Sequence, residues 1–494
     1  MSDGPIERRN EEEEPTILHG KAVSRREFLK VAGIAGATVG VGAGLGGLLA
    51  ACGGEETTTT TTAAGGGATT TTTAAETSTT VSAEPEMGEE VKLGFVAPLT
   101  GPLASFGVPD TYCADRWREA IGDGMVLGDG KKHAITIEVA DSQSDSNRAA
   151  QVAGDLINNT QVDMVLVAST PDTVTPVVEQ CEANGVPVVS TDCPWQTYLG
   201  QNKEYKWSYH VFFGAEDWIN EQWSIFDKLA TNKAVGGMFD NTADGNYFSA
   251  EVPPFLTSKG YTVTDPGRFQ PGTEDFTQQI AAFKKAGVEL ITGNMIPPDF
   301  TNFWKAAAQQ GLAVKACMVG KAILFPQSVE ALGTIANGLL TELWWHRTFP
   351  FTSSLTGESC AQLADDFEAK TGQQQTAPLL HYVVGEMAVY ALKNATDPKN
   401  KDAILAAVET MKFDSIVGNI DFTAPIIAAT GPGTADWPAG PGHKTKNVYD
   451  HGLGGAQWLM LGGKWQFESV PVDKAGAPYM LDDTIQAPMP LPIT

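Results

Sequence analysis

The stretch Val91–Gly107, VKLGFVAPLTGPLASFG, decides the fold. Its first seven residues form a compact apolar run, and the Pro, Gly, Thr and Ser residues after Ala97 are typical of the loop that follows a strand. Similar short apolar runs alternate with helical segments from here to about residue 320. Because strands that are apolar throughout indicate a parallel sheet covered on both faces, we predict an α/β protein.

The alternation of strands and helices occurs twice. The first series runs from Val91 to Ser190, and the second follows Trp207–Phe213 and ends near Val319. Two such series predict two doubly wound parallel-sheet lobes with an inter-lobe cleft. We expect two discontinuous lobes, with lobe 1 formed by residues 91–211 plus about 341–452 and lobe 2 by residues 212–340 plus about 453–494.

Composition excludes several functional classes. The chain has 494 residues with 33 Lys and Arg against 59 Asp and Glu, a net charge of -26, which excludes a nucleic-acid binder that relies on bulk electrostatics. The six cysteines are too sparse for a disulfide scaffold, and no Cys/His cluster has zinc spacing. No catalytic Ser/His/Asp or Cys/His arrangement can be assembled. We therefore predict no enzyme, no metal and no cofactor.

The N-terminal segment, residues 1–51, is interpreted as an export signal. Arg25 and Arg26 precede Phe28-Leu29 and a run of 21 uncharged residues, a pattern that resembles the twin-arginine signal of bacteria. Leu49-Ala50-Ala51-Cys52 resembles a lipobox, in which Cys52 is lipidated after cleavage. The alternatives are an uncleaved transmembrane helix and a cysteine that follows the run by chance.

Residues 52–90 are interpreted as the lipidated cysteine followed by a tether. The segment after Cys52 consists mainly of Thr, Ala, Gly and Glu, with seven acids and no base, and cannot bury a core. A flexible coil of this length spans roughly 30 to 40 Å. The sequence therefore predicts a folded head that is anchored by lipid to the outer face of the bacterial cytoplasmic membrane.

Several segments in order resemble the leucine/isoleucine/valine-binding family, the type I periplasmic binding proteins that deliver solutes to ABC-type importers. The opening strand and loop, Val91–Gly107, resemble that family's first strand and cleft loop, and Asp141-Ser142-Gln143 and Gly185–Ser190 resemble its next landmarks. The resemblance implies a monomeric receptor that closes its lobes on a small amino acid-like or carboxylate solute and hands it to permease subunits.

Candidate ligand-binding residues lie in loops after predicted strands, because open α/β sheets bind ligands beyond the carboxyl ends of their strands. They are Ser105, Phe106, Ser169, Thr170, Thr173, Asp192, Trp195, Asn241, Asp244 and Lys321. The resemblance implies that the segment from Ser169 to Thr173 holds a solute carboxylate at a helix start. The alternative is an ordinary helix cap.

One departure from the family pattern bears on the solute. Where the family has an acid that pairs with the ammonium of its ligand, this sequence has Lys321. Unless Asp192, Asp240 or Asp244 takes that role, a standard α-amino acid is disfavoured and a carboxylate solute is favoured. The alternative for Lys321 is a solvated loop lysine.

Two other functions fit the same sequence. A sensory lipoprotein would bind a ligand and report it to a membrane partner without transport. A twin-arginine-exported enzyme would use the same signal, although no catalytic or cofactor motif supports it.

Overall fold

The computed structural model describes residues 84–200, 204–424, 426–427, 444–445 and 447–470. The predicted signal at Arg25 and Arg26, the lipidation site at Cys52 and most of the predicted tether lie outside the described residues. Residues Pro85–Thr494 form one compact unit, and the account below concerns that unit.

The described strands alternate with helices along most of the unit. The strands are β1 (Val91–Ala97), β2 (Met125–Val126), β3 (Lys132–His133), β4 (Ile135–Asp141), β5 (Met164–Val167), β6 (Val188–Thr191), β7 (Ser208–Val211), β8 (Ala234–Phe239), β9 (Thr262–Thr264), β10 (Leu290–Asn294), β11 (Ala316–Gly320), β12 (Leu340–Leu343), β13 (Lys412–Ser415), β14 (Gly418–Asp421), β15 (Ile426–Ile427), β16 (Lys444–Thr445), β17 (Val448–Tyr449), β18 (Gly454–Leu461) and β19 (Lys464–Val470).

The described α-helices are α1 (Ala104–Ile121), α2 (Ser146–Asp155), α3 (Pro171–Asn184), α4 (Trp195–Leu199), α5 (Ala215–Asp227), α6 (Ala243–Ser258), α7 (Thr277–Ala286), α8 (Pro297–Gln309), α9 (Pro326–Leu332), α10 (Cys360–Thr371), α11 (Tyr382–Asn394) and α12 (Lys401–Glu409). Helix α2 continues into a π-helical turn at Leu156–Thr160, and short 3₁₀ segments occupy Gly333–Ala336 and Ala377–His381. Within the described part of the chain, every helix is too short or too polar to cross a bilayer.

Lobe 1 contains a six-stranded sheet in the order β17-β7-β6-β5-β1-β4, and all of its pairings are parallel. The strand order reverses between β1 and β5. At such a reversal the loops after the two strands diverge to opposite faces of the sheet and leave a crevice at its carboxyl edge. The loops after β1 and β5 therefore flank a crevice at the carboxyl edge of this sheet.

Lobe 2 contains a seven-stranded sheet in the order β19-β18-β12-β11-β10-β8-β9. Strands β8 to β12 are parallel, whereas β18 pairs antiparallel with β12 and β19 pairs antiparallel with β18. The prediction of two doubly wound parallel-sheet lobes is confirmed, with an antiparallel hairpin added to one edge of the second sheet.

The chain passes between the two sheets three times, after β7, after β12 and after β17. We placed the second crossing at about residue 341. The four residues of β12 pair with β11 and β18 of the second sheet, so this crossing follows Leu343 instead. The difference arises because LTEL contains two buried polar residues, Thr341 and Glu342, a pattern that obscures the strand in the sequence.

The main core joins the two sheets, and a second apolar cluster covers the outer face of lobe 1 under α2 and α3. Among the described residues, Cys113, Cys181, Cys193, Cys317 and Cys360 are all buried and free. The sequence left the pairing of these cysteines open. In this structure they contribute to packing as small apolar groups.

Candidate functional site

Three residues at strand ends have unusual backbone conformations. Ser169 follows β5 with φ 133°, Asp192 follows β6 with φ 75° and Lys321 follows β11 with φ 65°. A positive φ costs a non-glycine residue on the order of 1 kcal/mol or more, and such strain concentrates at functional sites. All three residues were predicted from their position after a strand, and all three are buried.

A small cavity lies between the lobes, at the carboxyl ends of both sheets. It is lined by Asp192, Pro194, Phe212, Phe213, Trp218, Asp244, Phe248, Asn294, Lys321, Glu342 and Trp344. Residues of both lobes contribute to this lining, among them Asp192 from lobe 1 and Lys321 from lobe 2. The lobes are therefore closed in this structure, and a larger solute enters only when they part.

Lys321 is the cation in the lining of this cavity, and it already has an acidic partner. Its Nζ lies 3.2 Å from Asp244 Oδ2 and 3.4 Å from Thr242 Oγ1. Only 4% of Lys321 is exposed, so the alternative of a solvated loop lysine is wrong. Burial alone would lower the pKa of Lys321, but the surrounding carboxylates of Asp244, Asp240 and Asp172 raise it above its ordinary value. The ammonium is therefore charged and paired with lobe 2's own acid.

Hydrogen-bond acceptors without donors face the cavity region from lobe 2. Asp244 Oδ1, Asn294 Oδ1 and Asp240 Oδ2 are buried and receive no hydrogen bond from the described residues. Asp240 uses its other oxygen to accept from the hydroxyl of Thr242 at 2.5 Å. Buried acceptors of this kind cost free energy until a donor reaches them. Lobe 2 is therefore suited to a solute that donates hydrogen bonds.

Lobe 1 presents hydroxyl groups at the start of α3. The side-chain oxygens of Ser169 and Thr170 are buried without a partner in the described residues, and Thr170 occupies the N-cap position without making a side-chain cap bond. The alternative of an ordinary cap is therefore wrong for Thr170. Thr173 instead donates its hydroxyl to the Thr170 carbonyl at 3.2 Å. Free hydroxyls beside a helix N-terminus suit an anionic group.

The first turn of α3 also reaches lobe 2. Helix α3 contacts α6 of lobe 2, and the backbone N–H of Ala243, the first residue of α6, lies near the Asp172 carboxyl group. Burial raises the pKa of Asp172, and the nearby ammonium of Lys321 opposes that rise. The hydroxyl-bearing turn of lobe 1 and the acidic helix start of lobe 2 are thus in contact in the closed structure.

Asp192 belongs to a buried array of three ionisable side chains. His381 Nδ1 lies 2.7 Å from Asp110 Oδ1, and His381 Nε2 lies 2.9 Å from Asp192 Oδ2. Burial alone would lower the pKa of His381, but the two carboxylates raise it to about 10, so the ring is an imidazolium. Burial raises the pKa of Asp192 to about 7 and also raises that of Asp110. The array fixes the Asp192 carboxyl group at the cavity wall.

Glu342 lies on β12 and lines the cavity. Its Oε1 accepts the backbone N–H of Lys321 at 2.9 Å, and its Oε2 accepts the indole N–H of Trp218 at 3.0 Å. Burial raises the pKa of Glu342 to about 7 despite these two donors. Glu342 therefore holds the strained Lys321 backbone and the Trp218 ring in place.

Aromatic rings close the remaining walls. Phe212 and Phe213 lie on the first crossing, Trp344 on the second, and Trp218 and Phe248 on helices of lobe 2. Phe212 packs edge-on against Trp344, with 5.0 Å between the ring centroids, and the ring centroids of Trp218 and Phe248 lie 4.6 Å apart. These rings supply an apolar surface for the hydrocarbon part of a solute.

The remaining sequence-predicted residues lie away from the cavity lining. Ser105 and Phe106 belong to the first turn of α1, a helix that we did not predict, and Phe106 packs against Phe325 and Trp344 behind the wall. Trp195 is buried at the start of α4, and Asn241 is exposed and accepts a hydrogen bond from Asn246. The structure thus brings Asp192, Asp244 and Lys321 together at the cavity.

Several lining residues were missed. Phe212 and Phe213 follow β7 and Trp344 follows β12, strands that the structure shows, whereas Glu342 and His381 lie inside a strand and a helical segment that their sequences do not mark as functional. Among the described residues, no group of three or more His, Cys, Asp or Glu side chains could hold a metal ion.

The sequence model of the family described as periplasmic binding protein matches residues 90–437, about 70% of the chain. The chain belongs to this family. It is a substrate-binding protein of the ABC transporter type, as the sequence resemblance implied, and its family binds solutes rather than catalysing reactions. A curated relative is the Leu/Ile/Val-binding protein homolog 1 of Brucella abortus, 23% identical over 336 residues, which are 67% of this binding protein and 86% of the relative.

Solved structures share the fold of this binding protein. The branched-chain amino acid transporter substrate binding protein of Streptococcus pneumoniae, in complex with isoleucine, has a TM-score of 0.60 at 18% identity, with 77% of this chain and 99% of that chain covered. A solute binding protein of Rhodopseudomonas palustris in complex with 3,4-dihydroxy benzoic acid also has a TM-score of 0.60, at 17% identity, with 80% and 99% covered. These neighbours bind chemically different solutes, so the shared fold leaves the solute to the side chains of the cleft.

Proposed function

We propose that this chain is the extracytoplasmic solute receptor of an ABC-type importer and that it binds an amino acid-like solute by lobe closure. The observation that supports this most strongly is that polar groups of both lobes line one cavity, Asp192 from lobe 1 and Asp244, Asn294 and Lys321 from lobe 2. The unpartnered hydroxyls of Ser169 and Thr170 lie at the start of α3, the helix of lobe 1 that contacts α6 of lobe 2. Closure around a solute would satisfy both sets, which stabilises the closed state relative to the open one.

The two sets of groups suggest an orientation. A solute carboxylate would lie against Ser169 and Thr170 at the N-terminus of α3, and its ammonium would lie against Asp244 and Asn294. Of the two solute classes that the sequence left open, this favours an amino acid-like solute over a simple carboxylate. Lys321 does not oppose an ammonium here, because Asp244 already neutralises it.

The test is a thermal-shift screen of the folded protein against the common amino acids, benzoates and short acyl acids. A solute that binds only the native state raises the melting temperature, by an amount that grows with its concentration. Small-angle scattering with and without the strongest hit then measures closure. We expect an amino acid to shift the melting temperature, and a response to benzoates or acyl acids alone would contradict the proposed solute class.

We also propose that the protein leaves the cytoplasm by the twin-arginine route and works as a monomer anchored through Cys52. The support is the paired Arg25 and Arg26 before an uncharged run and the lipobox-like LAAC that ends it. Two or more acyl chains give stable anchoring. Such a tether keeps the receptor near its permease without a membrane-spanning segment.

Replacing Cys52 by alanine should therefore release the protein from membranes or leave its signal uncleaved, because the acyl chains have no other acceptor in the proposed scheme. Cell fractionation with a carbonate-washed membrane pellet measures the outcome. Cys360→Ala, at a buried cysteine of the folded unit, is the control and should stay membrane-bound. A Cys52→Ala protein of mature size in the washed pellet would contradict the proposed anchor.

A further inference from the structure

Acidic groups greatly outnumber basic groups in the cleft. Asp192, Asp244 and Glu342 line the cavity with Lys321, and the electrostatic neighbours of Lys321 also include Asp240 and Asp172. Behind Asp192, the imidazolium of His381 is shared with Asp110. The group thus contains six carboxyl groups against two cations, all at least half buried.

The excess of acids is not relieved within the described protein. Lys321 pairs with Asp244, and His381 is shared by Asp110 and Asp192, so two positive charges face six carboxyl groups. Burial raises the pKa values of Asp172 and Asp240, and it raises those of Asp192 and Glu342 to about 7. Ionised carboxylates at these positions repel one another, so a bound positive charge would stabilise them.

The orphan acceptors show where such a charge would lie. Asp244 and Asn294 are 2% and 3% exposed, line the cavity and each carry an oxygen without a donor among the described residues. Asp240 is fully buried, and its Oδ2 is a third oxygen that receives no hydrogen bond from the described residues. The α-ammonium of an amino acid supplies three N–H donors, but its carboxylate cancels the charge. A neutral zwitterion therefore leaves the excess of acids unchanged.

We infer that the solute is a cationic amino acid, whose second positive group is received by the free carboxylate oxygen of Asp240, beside the α-ammonium held by Asp244 and Asn294 in lobe 2. This inference rests on the proposed function and narrows its solute class. The hydrocarbon stem of such a side chain would pack against Trp218 and Phe248, which line the same cavity and lie against each other. Aromatic faces also attract a nearby cation.

Isosteric pairs of amino acids test the inference directly. L-Ornithine and L-norleucine differ by an ammonium in place of a methyl group, and L-arginine and L-citrulline differ by a guanidinium in place of a neutral ureido group. Titration calorimetry of the wild-type protein is expected to give at least a tenfold tighter Kd for the charged member of a pair, which corresponds to about 1.4 kcal/mol. The preference should decrease with added salt.

Two variants should change this preference in opposite directions. Asp240→Asn removes one carboxylate and should reduce the preference for L-ornithine over L-norleucine, whereas Lys321→Met removes the internal cation and should increase it. Asp163→Asn is the control, because Asp163 is a buried acid of lobe 1 that bonds Lys92 and Lys399 outside the cavity. It should leave the preference unchanged.

The outcomes separate the inference from the proposed function. Equal affinities within both pairs, or tighter binding of L-norleucine and L-citrulline, would overturn the inference and leave an amino acid receptor in place. Binding of no amino acid would overturn the proposed solute class and the inference with it. If either Asp240→Asn or Lys321→Met does not fold, the change of preference in the other variant tests the inference.

Discussion

His381→Gln is expected to lower the free energy of unfolding by about 3 to 5 kcal/mol at pH 7, because removing one partner of a buried ionic group leaves its other members uncompensated. The imidazolium of His381 is the only positive group within 3 Å of Asp110 and Asp192 among the described residues, and all three side chains are at most 1% exposed. Glutamine retains a donor of hydrogen bonds but not the charge. Urea unfolding followed by circular dichroism measures the loss.

The pH dependence gives a second check on this array. Folding raises the pKa of His381 from 6.5 to about 10, so its contribution is fully present below pH 6.5 and is lost as the pH rises through about 10. The difference in stability between wild type and His381→Gln should therefore be smaller at pH 9 than at pH 7. A difference that stays constant between these pH values would show that His381 is not charged in the folded protein.

A matched variant separates the ionic effect from the loss of a buried ring. His133 is also buried, and its Nε2 lies 3.0 Å from Asp129 Oδ1. Asp129 is partly exposed, however, and among the described residues no second acid is bonded to the His133 ring. His133→Gln should therefore cost less than His381→Gln. Adding Asp110→Asn to His381→Gln should recover part of the stability, because it removes one of the two stranded carboxylates.

Lys321→Glu is expected to lower the free energy of unfolding by an amount similar to that for His381→Gln and to abolish solute binding. The substitution removes the partner of Asp244 and places another acid beside Asp240 and Asp172. Breaking a buried ion pair costs about 3 to 5 kcal/mol, and the added repulsion increases that loss. Lys321→Met, which removes the charge but keeps an apolar stem, should be less destabilising.

Lys315→Glu is the control for Lys321→Glu. Lys315 pairs with Glu289 at 3.0 Å, but both side chains are about one-third exposed, so water screens the interaction and its loss should cost no more than about 1 kcal/mol. Melting temperatures of the three variants at pH 7 measure the ranking. Equal melting temperatures for Lys321→Glu and Lys315→Glu would mean that Lys321 does not form its buried ion pair in solution.

Much of the fold could be predicted because hydrophobic patterns are local. The limits of β1 were predicted to the residue, since it is an apolar run with clear turn residues after it. Helix α1 was missed because it begins with ASFGVPD, which contains Gly107 and a proline at Pro109, and such residues are typical of loops. Here tertiary packing of Phe106 and Trp117 outweighs the low helix propensity.

The candidate site was predictable only in part. Asp192, Asp244 and Lys321 follow strands, and the rule for open α/β sheets indicates that position. The ion pair between Lys321 and Asp244 depends on how the chain brings together two residues that are 77 positions apart in sequence. The array of Asp110, His381 and Asp192 spans 271 residues in sequence. Neither follows from local pattern. The sequence predicted that Lys321 presents its positive charge to the solute, whereas in the structure Asp244 already neutralises that charge.

The late strands of both sheets have a consequence for how the protein is made. Strand β17 completes the edge of the first sheet, and β18 and β19 complete the second. The first sheet therefore has all its described strands only when synthesis has reached Tyr449, and the second only when it has reached Val470. On the ribosome, the edges of β7 and β12 stay unpaired and open to other chains. Completion of both sheets thus comes after the synthesis of all the other described elements. Chaperones that shield strand edges in the cytoplasm would matter for this protein, because the twin-arginine route that we propose carries proteins that have already folded.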